Sequence, residues 1–82
     1  MLIPDALRPD HLGFMGYSRP TSPYLDQLAD QSLVFEHALT AASYSLASSA
    51  TIISGQSPLR HGVVTSKDRL SDNVQTLAER LT

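Results

Sequence analysis

The amino-acid sequence predicts an α/β fold with a largely parallel central sheet, and two observations carry this prediction. Short apolar segments typical of strands alternate along the chain with segments whose apolar residues have helical spacing. Such alternation is typical of layered α/β domains. Two short strands are too few to complete a sheet of this kind, so we expect residues 1–82 to be the N-terminal part of a larger domain.

The first predicted strand is the apolar segment Met1–Ile3, which is short for a buried strand. We therefore expect that this strand has lost its upstream half or begins elsewhere in the native gene. Residues 6–22 are rich in proline and glycine, which predicts a loop. A helix should follow, with Ser22 as its cap and Pro23 at its first position, ending around Gln31. Its apolar positions Leu25, Leu28 and Ala29 have helical spacing.

The second predicted strand is Leu33–Thr40, in which apolar residues occupy both alternating sets, so we expect burial on both faces. The segment Ser48–Ser54 predicts a short buried helix, and Gly55 suits the left-handed position that ends one. Residues 56–71 are predicted to be irregular.

A last helix is predicted near the end of the sequence, with Ser71 or Asp72 as its cap. Its apolar residues recur at i, i+3, i+4 and i+7, which places them on one face. These residues are Val74, Leu77, Ala78 and Leu81.

Composition excludes several classes of function. Six Lys and Arg residues against eight Asp and Glu residues give a net charge of −2, which argues against a nucleic-acid partner. The absence of cysteine excludes disulfides, thiolate metal sites and a thiol nucleophile. No apolar run approaches the roughly 18 residues of a membrane span. Pro4 and Asp5 interrupt any apolar core of a secretory signal, so location stays open between periplasmic or secreted and cytoplasmic.

Two positions are candidates for chemistry. Asp5 follows the first predicted strand, where α/β folds bind ligands, and its carboxylate suits a divalent cation; the alternative is a solvated strand end or cap. The segment Ser43–Ser49 leads into the second predicted helix. The free N–H groups at the start of a helix favour binding of an anion and help to activate a hydroxyl as a nucleophile. The alternative there is plain helix capping.

Histidines add a weaker candidate. Arg60-His61 lies in a loop and could grip an anion, although a surface turn is the simpler interpretation. His37 lies within the second predicted strand, where a packed, hydrogen-bonded histidine is expected rather than a ligand.

Five segments together resemble the N-terminal part of the sulfatase family, in the alkaline phosphatase superfamily. They cover nearly the whole chain in the family's order and spacing. Asp5–Tyr17 is similar to the family's opening, which has an Asp, an Arg and then D-x-L-G-x-x-G-Y. Arg19–Ala29 is similar to the family's R-x-T-P-N-L-D-x-L-A, and Val34–Ala38 is similar to F-x-N-A. Ser54–Val63 is similar to T-G-x-x-P-x-R-H-G-V, and Thr76–Leu81 is similar to T-L-A-E-x-L.

The family's signature C/S-x-P/A-x-R, whose first residue becomes formylglycine, falls on Ser45–Ser49. The resemblance therefore implies that Ser45 is the catalytic nucleophile and a metal ligand. Ser49 stands where the family has arginine, which argues against formylglycine formation. Asp5 matches a metal-binding aspartate, while Ala6 replaces a second aspartate that often follows it.

The resemblance implies an alkaline-phosphatase-like three-layer sandwich and, in the complete protein, metal-dependent hydrolysis of a sulfate ester. The expected metal is Ca²⁺, with Mg²⁺, Mn²⁺ or Zn²⁺ as alternatives. The remaining ligands and the general acid would come from other parts of the catalytic domain, so residues 1–82 alone are expected to be inactive and poorly stable. One alternative is a phospho-ester hydrolase or phosphoethanolamine-type transferase with unmodified Ser45. Another is a truncated remnant without catalysis.

Overall fold

The computed structural model describes all 82 residues, which divide into two compact units, Met1–Ala38 and Leu39–Thr82. Each unit is built from short helices and loops. The longest helix has ten residues, and none combines the length and the apolarity needed to cross a membrane.

The first unit contains one α-helix, α1, over Pro23–Asp30. Ser22 takes the predicted position before the helix, but its side chain makes no capping hydrogen bond. Pro23 opens the helix as predicted, because proline lacks the N–H that has no helical partner at this position. Two short 3-10 helices, Pro9–His11 and Gly13–Met15, lie upstream of α1 in the predicted loop.

Side chains at the start of α1 fix the second 3-10 helix. The buried Ser22 hydroxyl accepts a hydrogen bond from Gly13 N at 2.9 Å and donates to Asp26 Oδ1 at 2.9 Å. The same carboxylate oxygen accepts from Phe14 N at 3.0 Å. The loop is therefore tied to the first turns of the helix by polar contacts, with Leu12 the buried apolar residue of this unit.

The second unit contains three α-helices: α2 over Ser45–Ser54, α3 over Pro58–His61 and α4 over Leu77–Leu81. Both α3 and α4 contact α2. The core of this unit is small and consists of Ala47, Ala50 and Val63.

The predicted ends of these helices are partly correct. Gly55 ends α2 in the left-handed conformation, with φ of 68°, as predicted. The helix begins at Ser45, three residues before its predicted start. One turn of helix, α3, occupies part of the segment that was predicted to be irregular, because Pro58 opens it and Gly62 closes it.

The predicted start of the last helix is wrong. Neither Ser71 nor Asp72 caps a helix, and α4 begins at Leu77. Thr76 caps it instead, because its hydroxyl accepts from Glu79 N while the Glu79 carboxylate accepts from Thr76 N at 2.7 Å. This reciprocal pair satisfies two N–H groups that helical bonds leave free.

Neither Met1–Ile3 nor Leu33–Thr40 forms a strand in this structure. A strand bonds to a neighbour through its backbone, and no neighbouring strand is present in these 82 residues. The two-sided burial predicted for the second segment is absent, since Leu33, Phe35 and Leu39 are exposed. The parallel sheet therefore stays a prediction.

The α-helices also carry exposed large apolar side chains. These are Tyr24 and Leu28 on α1, Leu46, Ile52 and Ile53 on α2, Leu59 on α3, and Leu77 and Leu81 on α4.

Candidate functional site

Ser45 is the first residue of α2, and its side chain is exposed. Tyr44 precedes it in an extended conformation, with φ of −142° and ψ of 161°, and no side chain caps the helix. Ser48 N donates the first helical bond, to Tyr44 O at 3.2 Å. The N–H groups of the three residues before Ser48 thus have no helical acceptor, and they lie at the positive end of the helix dipole.

The orientation of Ser45 follows from which face of α2 is buried. Ala47 and Ala50 are buried, and Ala47 is two residues after Ser45. Two residues correspond to about 200° of rotation around a helix, so the burial of Ala47 turns Ser45 to the opposite face. An exposed hydroxyl next to free N–H groups is suited to meeting an anionic ester.

The serines that follow Ser45 differ in their contacts. The Ser48 hydroxyl lies 2.9 Å from Thr40 Oγ1, which joins the segment before α2 to its first turn. Ser49 is exposed and takes the position at which the resemblance expects an arginine. The site therefore has no guanidinium at this point of the helix.

Tyr44 is a feature that the sequence did not single out. Its hydroxyl is buried and has no hydrogen-bond partner. Desolvation raises the pKa of the Tyr44 hydroxyl, and the negative charge of Asp68 raises it further. The Asp68 carboxylate accepts bonds from Val64 N at 3.0 Å and Thr65 N at 2.7 Å, and these bonds lower the pKa of Asp68. A neutral phenol and a charged carboxylate are therefore expected near neutral pH.

Asp5 lies in a turn of the first unit and is exposed. Ala6, which takes the place of the family's second aspartate, has a positive φ of 53°. Nearby, Arg8 and Asp10 form an exposed ion pair at 2.6 Å. The Arg8 guanidinium lowers the pKa of the Asp10 carboxyl, so the charge of Asp10 is already matched locally.

The candidate residues of this chain do not provide enough ligands for a metal centre by themselves. No group of three or more His, Asp or Glu side chains comes together in the structure. Asp5 could provide one hard oxygen ligand, and Ca²⁺ takes about six to eight. Asp5 and Ser45 belong to different units of the chain.

His61 differs from the surface turn favoured by the sequence. It is the last residue of α3, and it is only 3% exposed. Its Nε2 lies 3.0 Å from Thr51 Oγ1 on α2, and its Nδ1 accepts from Val63 N at 3.1 Å. Both ring nitrogens are engaged within the protein, so His61 is not available to grip an anion.

The structure also bears on the predictions made for His37 and Arg60. His37 is exposed, and the prediction that it is packed and hydrogen-bonded is wrong because its segment has no strand partner. Arg60 lines a cleft of about 450 Å³ together with Arg80, at the C-terminal end of α2. Ser45 is at the other end of this helix, about 13 Å along its axis, so Arg60 does not join the Ser45 site.

Comparison with known proteins identifies a family and a curated relative. The sulfatase family model matches residues 1–82. An arylsulfatase of Clostridium perfringens (strain 13 / Type A) is 36% identical over 75 residues, which are 92% of this chain and 16% of the relative. The chain therefore spans about a sixth of the length of that relative. No solved structure gives a significant match.

Proposed function

The chain belongs to the sulfatase family, and we propose that the complete protein hydrolyses sulfuric esters in a metal-dependent reaction, with residues 1–82 forming the N-terminal part of the catalytic domain. The observation that carries this proposal is the family match over the whole chain, within which the signature serine is exposed at the start of α2. The similarity to an arylsulfatase supports the same class of reaction.

In this proposal residue 45 provides the attacking oxygen, either as the serine hydroxyl or as a hydroxyl of the hydrated formylglycine formed from Ser45. A hydroxyl oxygen of residue 45 gives its proton to a base in another part of the protein and bonds to sulfur, while the sulfur–oxygen bond to the leaving alcohol breaks in line with it. Sulfate then leaves residue 45 by attack of water if the residue is serine, or by re-formation of the aldehyde if it is hydrated formylglycine. The leaving oxygen takes its proton from a general acid in another part of the protein. The free N–H groups at the start of α2 would stabilise negative charge on the sulfuryl oxygens.

The proposed metal is a divalent cation, with Ca²⁺ as the first choice and Mg²⁺, Mn²⁺ or Zn²⁺ as alternatives. Asp5 and Ser45 would each offer an oxygen ligand, with the remaining ligands supplied from outside these residues. When bound, a divalent cation neutralises charge that develops in ester cleavage. Because the chain does not bring three such ligands together, residues 1–82 alone should be inactive.

A second candidate is hydrolysis or transfer of a phosphate ester by unmodified Ser45. Two positions favour it. Ser49 replaces the arginine that belongs to the formylglycine signature, and Ala6 replaces the second aspartate of the family's opening. Related enzymes of the superfamily that use an unmodified hydroxyl often have a single aspartate at the opening.

Rates on an aryl sulfate and an aryl phosphate, measured with the full protein and added Ca²⁺, test both candidates. Ser45→Ala should lower kcat at least about a thousandfold on the preferred ester, because it removes the nucleophile. Ser43→Ala is the matched control, since Ser43 is another serine of the segment just before the helix. Mass spectrometry of the peptide that contains Ser45 would show whether the side chain is an aldehyde.

The outcomes separate the candidates. Faster hydrolysis of the sulfate supports the first proposal, and faster hydrolysis of the phosphate with unmodified Ser45 supports the second. A full protein that cleaves neither ester would leave the third candidate, a non-catalytic remnant. Activity of residues 1–82 alone would contradict our inference that essential ligands lie elsewhere.

A further inference from the structure

The two hydrogen bonds of His61 indicate which of its ring nitrogens carries the proton and which accepts. Val63 N–H donates to Nδ1, so Nδ1 carries a lone pair and no proton. The Thr51 hydroxyl has a single proton, and it donates this proton to Ala47 O at 3.1 Å. Nε2 must therefore be the donor in its 3.0 Å contact with Thr51 Oγ1. Together the two bonds assign the tautomer: Nδ1 accepts from Val63 N, and the ring proton on Nε2 is donated to Thr51.

These bonds form a continuous chain from the loop after α3 to the first turn of α2. It runs from Val63 N–H through the His61 ring and the Thr51 hydroxyl to the carbonyl of Ala47. The His61 side chain is 3% exposed, and Val63 and Ala47 at the two ends are each 1% exposed. Such buried polar groups are costly to leave unpaired, so each bond holds the next in place.

We propose that His61 is a positioning residue for Ser45, which it orients through Thr51 by fixing the rotation of α2. The proposal rests on the proposed function of Ser45 as the nucleophile. Thr51 follows Ser45 by six residues, so a Thr51 held against His61 places Ser45 about 120° away around the helix. The bond to Ala47 O reaches the first turn itself.

Apart from the exposed contact between Ser48 and Thr40, the α2 helix has few other contacts that resist its rotation. Its buried side chains are two alanines, whose small, smooth surfaces interlock weakly with a neighbour. The start of the helix has no side-chain cap. The directional bond between Thr51 and His61 therefore sets a rotation that apolar packing leaves loosely defined.

The test uses the full protein with Thr51→Val, which keeps the shape of the side chain and removes its hydroxyl. Thr51→Ser restores the hydroxyl. Thr82→Val is the matched control, because the Thr82 hydroxyl also bonds to a backbone carbonyl, on α4. Three quantities are measured: the ¹⁵N shifts of the His61 ring, hydrogen exchange of the Ser48 amide, and kcat and KM on the preferred ester.

We expect the native ring to show a protonated Nε2 and a bare Nδ1. Thr51→Val should increase exchange at Ser48 about tenfold and lower kcat about tenfold with KM nearly unchanged, because it removes both the acceptor of His61 Nε2 and the donor to Ala47 O. Thr51→Ser should recover both values, and Thr82→Val should change neither. A merely structural role would lower the melting temperature of Thr51→Val but leave kcat of the folded enzyme unaltered.

Three results would overturn the proposal: a proton on Nδ1, unchanged exchange at Ser48 in Thr51→Val, or an unchanged kcat in an active protein. If the full protein cleaves neither ester, the proposed function fails separately. The anchoring of α2 by His61 is then decided by the ring shifts and the Ser48 exchange alone.

Discussion

Val63 and Val64 are adjacent valines with opposite surroundings, which makes them a matched pair for testing the core of the second unit. Val63 is 1% exposed and Val64 is 52% exposed. Val63→Ala removes two buried methyl groups, or about 1.6 kcal/mol at roughly 0.8 kcal/mol for each. A residual cavity adds to this loss, so we expect the free energy of unfolding to fall by about 2 kcal/mol.

This change is large for a chain of this size. At about 0.05–0.15 kcal/mol per residue, a stable chain of 82 residues would have about 4–12 kcal/mol in total. Urea unfolding of the full protein, followed by circular dichroism, measures the difference, because residues 1–82 alone are expected to be poorly stable. Val64→Ala, the control, should change the free energy of unfolding by less than about 0.5 kcal/mol. Val63→Thr keeps the volume but buries a hydroxyl, so it should cost about 1–3 kcal/mol.

Equal effects of Val63→Ala and Val64→Ala would refute the assignment of Val63 to the core. A Val63→Thr variant as stable as the native chain would also contradict it, because the hydroxyl would then have found water or a partner that the structure does not offer at this position.

Three further predictions concern local contacts. Thr76→Ala should destabilise α4 by about 1 kcal/mol, seen as faster amide exchange at Glu79. Hydrogen bonds from Thr76 lower the pKa of Glu79. The stability that this contact gives α4 should therefore be fully present above the ordinary glutamate pKa of about 4.3, and it should be lost as the pH falls through the lowered pKa. Amide exchange at Glu79 measured over a series of acidic pH values tests this. Asp68→Asn should release the turn that its carboxylate holds, so its backbone amide shifts should move toward random-coil values by NMR. Gly13→Ala would place Cβ 2.9 Å from Asp26 Cγ and should lower the melting temperature by displacing that carboxylate, which also shifts the Phe14 amide. Gly16→Ala meets nothing within 4 Å, so it should act through the strain of its φ of 102° alone and leave the Phe14 amide in place.

The helices are the part of the fold that the sequence predicts best, because their signals are local. The pair Ser22-Pro23 places the start of α1, and Gly55 places the end of α2. The error at α4 has a local cause too. Thr76 and Glu79 have the spacing of a capping box, which is a stronger start signal than an isolated Ser71.

The candidate site is predictable in part. The sequence places Ser45 in the segment just before a predicted helix, and the structure has it as the first residue of α2. The role of His61 is not readable from its neighbours, because its partner Thr51 is ten residues away and the contact depends on how α3 packs against α2. A histidine just before the glycine that ends a short helix is the only sequence signal available.

The features that the structure does not form share one physical requirement, which is a partner distant in sequence. A helix satisfies its backbone within a few residues, whereas a strand needs another strand and a metal site needs several converging ligands. Leu39, 97% exposed in a segment with strand-like alternation, and Asp5, exposed after a strand-like segment, both lack such partners here. If the sheet and the metal site form in the full protein, both positions should become protected together. Amide exchange at Leu39 measures whether the sheet forms, and metal-dependent shifts at Asp5 measure whether the metal site forms. Protection of Leu39 without a metal response at Asp5 would support the sheet and contradict the metal site, and the reverse result would do the opposite.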